Sequence, residues 1–202
     1  MAVRSAEPRF GVAREGWPLV LALALPALAA LLLGRPLLGA AALALPLIGA
    51  LYFREADGEF PAAPSSVYAP LSGRVLSVRR LRSGPGGEPA LRVRLRVAWL
   101  GGYALRAPVD GQVQEPAPGV ARGAAWLRTT SGADVVLVPK TGFFGRGSIL
   151  RVPYGQRVGQ ARAVGTRRAL QVVDVFMPES TRAKVAAGDR VTAGRTALAS
   201  LS

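Results

Sequence analysis

The run Leu91-Arg92-Val93-Arg94-Leu95-Arg96-Val97 alternates apolar and basic side chains without a break. Strand side chains point to opposite faces with a period of two, so Leu91, Val93, Leu95 and Val97 share one face and three arginines the other. A half-buried strand with a basic outer face is expected there. Ser83-Gly84-Pro85-Gly86-Gly87-Glu88-Pro89 before it reads as an open turn, and Val67 to Val78 before that as strand. After it, short strands are expected at Gln112 to Gln114, Ala124 to Thr129, Asp134 to Val138, Ser148 to Val152, Gln160 to Val164, Leu170 to Phe176 and Thr196 to Ala199. No later segment keeps a 3.6-residue apolar period. Residues 67–202 therefore read as an all-β domain, a closed or sandwiched barrel.

An internal repeat agrees with this. Ala69-Pro-Leu-Ser-Gly-Arg-Val75 and Ala107-Pro-Val-Asp-Gly-Gln-Val113 share the form Ala-Pro-x-x-Gly-x-Val, and Gly155-Gln-Arg-Val and Gly188-Asp-Arg-Val share Gly-x-Arg-Val. Glycine in each phrase suits a tight reversal between strands. The phrases resemble those of the biotinyl/lipoyl-like barrel-sandwich hybrid. A carrier of that kind presents a lysine at a hairpin tip, and neither Lys140 nor Lys184 lies in such a turn, so the architecture is retained and the carrier role rejected.

Upstream stand two apolar runs, Trp17 to Leu33 and Pro36 to Phe53, with no acidic or basic residue inside either and only Gly34-Arg35 between them. Their length is at the short end of what crosses a hydrocarbon core about 30 Å thick. A cleaved signal peptide would end after one run, and a soluble hairpin should keep a polar face. The expectation is a transmembrane or re-entrant helical hairpin over residues 17–53. A polar lead precedes it (1–16), and a connector (54–66) joins it to the β-rich domain (67–202). Trp17, Tyr52 and Phe53 stand where interfacial aromatics belong. Arg4, Arg9, Arg14 and Arg54 outweigh Arg35, which predicts both termini and the β-domain on the cytoplasmic face of the inner membrane.

The chain has 202 residues, a formal charge of +14, no histidine and no cysteine. Thiolate metal sites, disulfides and cysteine nucleophiles are excluded, and the commonest general base is missing. The positive field directs the domain to anions; with the hairpin present, anionic lipid is the expected partner rather than nucleic acid, for which no recognition motif is found. For most single arginines a solvated surface is role enough. Phe143 and Phe144, in Gly142-Phe-Phe-Gly-Arg-Gly147, are expected in a surface loop that dips into the bilayer interface.

The order of these parts resembles the phosphatidylserine decarboxylases in their short, membrane-hairpin form. The fragments that carry the resemblance are Arg14-Glu15-Gly16, Tyr52-Phe53-Arg54, Ala69 to Val75, Arg106-Ala-Pro-Val-Asp-Gly111, Gly155 to Gly159, Val173-Asp-Val-Phe-Met-Pro178 and Gly188 to Gly194. The resemblance implies a β-rich decarboxylase fold, a dimer and a self-cut at a Gly-Ser bond. There the serine attacks the preceding carbonyl, the ester eliminates, and a pyruvoyl group is left that forms a Schiff base with the lipid amine. An Asp, a His and the Ser drive the cut in those relatives.

All three positions depart from the pattern here. Ser72 stands where the family has its Asp, and Tyr103 where it has its His. The cleavage site matches Gly165-Thr166, or Gln171 if the count starts from Val173-Asp174-Val175. Thr166 could in principle leave a 2-oxobutanoyl group, although its methyl hinders attack and elimination; otherwise no cofactor and no metal is expected. A tyrosine, with a pKa near 10, is a poor base at neutral pH. Asp110, Asp134 and Asp174 remain as carboxylates, with structural roles expected for Asp110 and Asp174. The expected function is that of a degenerate, non-cleaving decarboxylase relative that binds aminophospholipid or a partner. The alternatives are an active decarboxylase converting phosphatidylserine to phosphatidylethanolamine, and a membrane-tethered adaptor without lipid chemistry.

Overall fold

The computed structural model describes residues 9–13, 16–57, 60, 63–117, 120, 123–141, 150–167 and 170–201. They divide into two compact units, Met1–Glu59 and Phe60–Ser202.

In the first unit, β1 (Arg9–Val12) and β2 (Arg54–Asp57) pair antiparallel, from Arg9 opposite Asp57 to Val12 opposite Arg54. Between them run α1 (Trp17–Leu32), α2 (Pro36–Ala42) and α3 (Ala44–Tyr52). The first helix ends where Gly34 takes a φ of 70°. Gly34 N–H donates to the Leu31 carbonyl at 3.0 Å and Arg35 N–H to that of Ala30 at 2.9 Å, the paired reversal that terminates a helix on a left-handed glycine. Pro36 then opens α2, where a missing N–H costs nothing. Small residues form the seam between the helices: Ala27 is buried, and a Cβ on Gly39 would stand 2.7 Å from Leu31 Cδ2. Leu21, Leu25, Leu32, Leu37 and Leu47 project outward, each more than half exposed.

The expectation of membrane-crossing helices is corrected here. No helix among the described residues is long and apolar enough to cross a membrane. The 16 residues of α1 reach about 24 Å at 1.5 Å per residue. The second run is interrupted at Leu43, three residues before Pro46, because a proline has no N–H for the carbonyl four residues back and its ring crowds that carbonyl. The polar lead and the connector also hold a strand each, too short for their alternation to be legible.

The second unit is mainly β. Its largest sheet is antiparallel, in the order β10-β7-β8-β9-β12-β5-β4-β14. These strands are β4 (Gly73–Leu81), β5 (Ala90–Val97), β7 (Gly111–Gln114), β8 (Ala125–Arg128), β9 (Asp134–Thr141), β10 (Arg157–Val158), β12 (Leu170–Pro178) and β14 (Arg190–Val191). Smaller sheets pair β11 (Ala163–Thr166) with β6 (Ala104–Arg106), and order β13 (Arg182–Ala183), β15 (Ala197–Ser200) and β3 (Ser66–Tyr68). The alternation in β5 behaves as expected: Leu91, Val93 and Leu95 are buried, while the arginines keep solvent. They pack in one core with Val173, Val175 and Met177 of β12, Leu105 of β6, Val67 of β3 and Leu198 of β15. Each such side chain contributes roughly 1.5–3 kcal/mol on burial.

The sequence repeat is a structural duplication. Val75 N–H donates to Asp189 O and its carbonyl accepts from Gly188; Val113 does the same with Gln156 and Gly155. Arg74 pairs with Arg190 as Gln112 pairs with Arg157. Even the strained turns correspond, since Gly194 N–H bonds to the Ala69 carbonyl and Ala161 N–H to that of Ala107, both in left-handed backbone (φ 68° and 61°). Three strand expectations change: of Ser148 to Val152, residues 148 and 149 lie outside the described residues and only Leu150 makes an isolated bridge, to Gly165. Val67 to Val78 is split between sheets by the turn at Pro70 to Ser72, and Gln160 to Arg162 is a turn, held by the Gln160 side chain on the backbone of Ala63 and Ser66.

Candidate functional site

Thr166 ends β11 opposite Ala104 of β6, one residue beyond Gly165, which faces Leu105 and also bridges to Leu150. The next residue, Arg167, gathers the neighbourhood. Its N–H donates to the Tyr103 carbonyl at 2.8 Å, and its guanidinium Nη1 donates to the Ala98 carbonyl at 2.5 Å. Ala98 N–H in turn donates to the Ser72 carbonyl at 2.9 Å, and Ser72 Oγ accepts from Ala193 N–H at 3.0 Å. Arg167 is thus buried beside Thr166, bonded to the Tyr103 backbone, and linked to the Ser72 backbone through Ala98, residues scattered over 95 positions of the chain. Tyr103 and Thr166 are themselves buried.

Gln171, the other match for the cut, is exposed at the start of β12. The register against β9 shifts there, from Leu170 opposite Thr141 to Val172 opposite Lys140, so Gln171 is the extra residue of a bulge. Between Thr166 and Gln171, Leu170 N–H donates to Arg167 O at 3.0 Å. Their backbones differ: the Gly165-Thr166 bond is locked in strand pairing, and Gln171 sits where pairing lapses.

Two of the three carboxylates, Asp174 and Asp134, are engaged by arginines. Asp174, with a side chain 3% exposed, accepts from Arg94 Nε at 2.6 Å and Nη2 at 2.8 Å, with Lys140 Nζ 3.9 Å away. That hydrogen bond raises the Arg94 pKa, against the lowering effect of its partial burial. Asp134 holds Arg128 in the same bidentate way, and raises its pKa by the hydrogen bond first and the charge second. Asp110 lines an open cleft of about 1220 Å³ with Thr129, Ser131 and Arg157. Among the described residues no group of three His, Cys, Asp or Glu side chains could hold a metal.

Of the aromatic residues expected at a membrane interface, Trp17 is half exposed and Tyr52 half-buried. Phe53 is buried at the base of the hairpin, edge-on to Tyr52 and against Gly16, where a Cβ would stand 2.4 Å from its Cγ. Phe143 and Phe144 lie outside the described residues. Sequence reading missed Arg167, because one buried arginine in a chain with 26 basic residues gives no local signal. It missed Arg106 as well, which is buried, lies 4.2 Å over the Phe60 ring and donates to Ala161 O at 2.9 Å.

The chain joins an apolar helical unit to a mainly β domain whose framework is duplicated. No family model matches the chain. Curated relatives do: it is 30% identical over 205 aligned positions to the phosphatidylserine decarboxylase proenzymes of Burkholderia cenocepacia, Burkholderia vietnamiensis and Burkholderia ambifaria, covering 94% of this chain and 96% of each relative. The chain belongs to the phosphatidylserine decarboxylase family.

Proposed function

We propose that this protein is a member of its family that does not cleave itself, and that it serves phospholipid metabolism by binding aminophospholipid or a partner at the membrane. The observation that carries this reading is the chemistry of the gathered site. Its side chains are a threonine and a serine hydroxyl, a phenol and a guanidinium, while Asp174, the carboxylate nearest in sequence to the cut, is bound to Arg94. A pyruvoyl group must come from a serine, and neither Thr166 nor Gln171 is one. Attack on the preceding carbonyl needs a base and a peptide free to pyramidalise. The Gly165-Thr166 peptide is held between β6 and the Leu150 bridge, and the chain has no histidine to act as the base.

The hairpin provides the membrane attachment in this reading. Its outward leucines need an apolar partner, and helices too short to cross fit a re-entrant or interfacial placement. In this reading the β-domain faces the cytoplasm, which the excess of arginines outside the runs supports. A second reading, an active decarboxylase processed at Thr166, is favoured by the hydrogen bond that brings Arg167, and so Thr166, against Tyr103. Intact mass of the detergent-solubilised protein decides between them. A single 21.0 kDa species that releases no carbon dioxide from phosphatidylserine is expected. Two chains divided near Thr166, the smaller blocked by a keto acyl group, would replace this reading with the second.

A further inference from the structure

On the outer face of the large sheet, Arg190 stands opposite Arg74, Arg74 opposite Arg96, Arg96 opposite Val172 and Val172 opposite Lys140. These four cations are exposed and form one row across five strands about 4.8 Å apart. Like charges set directly opposite are destabilising in a sheet, so the row needs an anion. Asp174 in the neighbouring row is held by Arg94 and lies 3.9 Å from Lys140 Nζ, while among the described residues no carboxylate pairs with Arg74, Arg96 or Arg190.

The same strand ends lead into a turn. Two residues beyond Arg96, the Ala98 carbonyl accepts from Gly101 N–H at 3.1 Å, which closes a four-residue turn with Trp99 and Leu100 at its corner. Both are exposed, Trp99 by 62% and Leu100 by 45%. The turn is braced from below, by Arg167 on the Ala98 carbonyl and by Gly101 lying so close to Ser72 that a Cβ would stand 2.9 Å from that of the serine. A rigid apolar tip beside a cation row is the pattern of a surface that enters the headgroup layer.

We infer that the Trp99–Leu100 turn and the Arg74, Arg96, Arg190 and Lys140 row form a docking edge for the anionic surface of a phospholipid bilayer. The tip enters the acyl boundary and the cations take lipid phosphates. A polyanion read by stacking would need successive aromatic faces, and Leu100 supplies none. The docking rests on the lipid reading above only in setting a bilayer before other polyanions. It orients the Ser72, Tyr103 and Thr166 neighbourhood, which lies at the base of the same turn, toward the membrane.

The test uses the full chain with Trp17→Phe, compared with the same chain also carrying Trp99→Phe, so that the difference in emission is that of Trp99. Each is reconstituted in vesicles of neutral lipid, or of neutral with anionic lipid, containing bromine-labelled acyl chains that quench tryptophan. Quenching of Trp99 is expected in the anionic vesicles and should weaken with added salt. Arg74→Gln, Arg96→Gln and Arg190→Gln each lower the docked-to-undocked ratio about fivefold, and Arg157→Gln leaves it unchanged. The variant with all three substitutions should abolish the anionic-lipid quenching, and the single variants serve if it does not fold. Absence of quenching in anionic vesicles, or equal quenching without the three arginines, overturns the docking edge. So does a Trp99 response to single-stranded RNA, but not to anionic lipid, in detergent. The readout is independent of self-cleavage, so a processed chain that still docks would refute the proposed function and leave this inference standing.

Discussion

Gly73 shows how little room one residue can leave. A Cβ there would stand 1.9 Å from the Arg96 carbonyl oxygen, which is backbone and cannot swing away. Gly73→Ala is expected to part β4 from β5 and cost on the order of 4 kcal/mol, read as a collapse of the urea midpoint. Asp174 carries the complementary lesson in charge. Asp174→Asn leaves Arg94, 28% exposed, between two other arginines of its strand. Breaking a buried pair costs roughly 3–5 kcal/mol; since Arg94 keeps some water, about 2 kcal/mol is expected by denaturant titration. The raised pKa of Arg94 means that its contribution is fully present below the ordinary guanidinium range and lost only as pH climbs through the raised value. The stability supplied by Arg94 should therefore be flat across neutral pH, and a slope there that disappears in Arg94→Gln would show this pairing to be misread.

At the scale of elements, the hairpin is set by punctuation. Nothing lies within 4 Å of a Cβ built on Gly34, so Gly34→Ala meets only the left-handed backbone, a cost of about 1 kcal/mol with the turn retained. Pro46→Leu restores the missing donor and is expected to join α2 and α3 into one helix, seen as a gain in helical circular dichroism and in amide protection around residues 43–46. Unchanged helicity would mean that the break at Leu43 has another cause. In the β-domain the corresponding device is the bulge at Gln171, which frees one residue from pairing at the start of β12.

For the whole molecule the question is whether the framework can still process itself. Ser72→Asp and Tyr103→His restore the residue types that the family resemblance assigns to those positions. Combined with Thr166→Ser in one variant and Gln171→Ser in another, they separate the two registers. Cleavage is expected only with Gln171→Ser joined to Leu170→Gly, which makes the Gly-Ser bond that the resemblance implies, because the Gly165-Thr166 bond is held in paired strand; mass spectrometry reads the outcome directly. Cleavage at Thr166→Ser alone would reverse the assignment. Much of this was legible in the chain itself. The alternation in residues 91–97, the duplicated Ala-Pro-x-x-Gly-x-Val phrases and the two apolar runs determined a mainly β domain following apolar helices, because periodicity and glycine placement are local properties of a sequence. Tertiary structure alone decided that Arg167 is the buried clasp, that Asp174 is spent on Arg94, and that Arg190, Arg74 and Arg96 form one row. Those facts depend on strand register across distances of up to 116 residues, and register is settled by the packing of a common core rather than by any stretch of the chain.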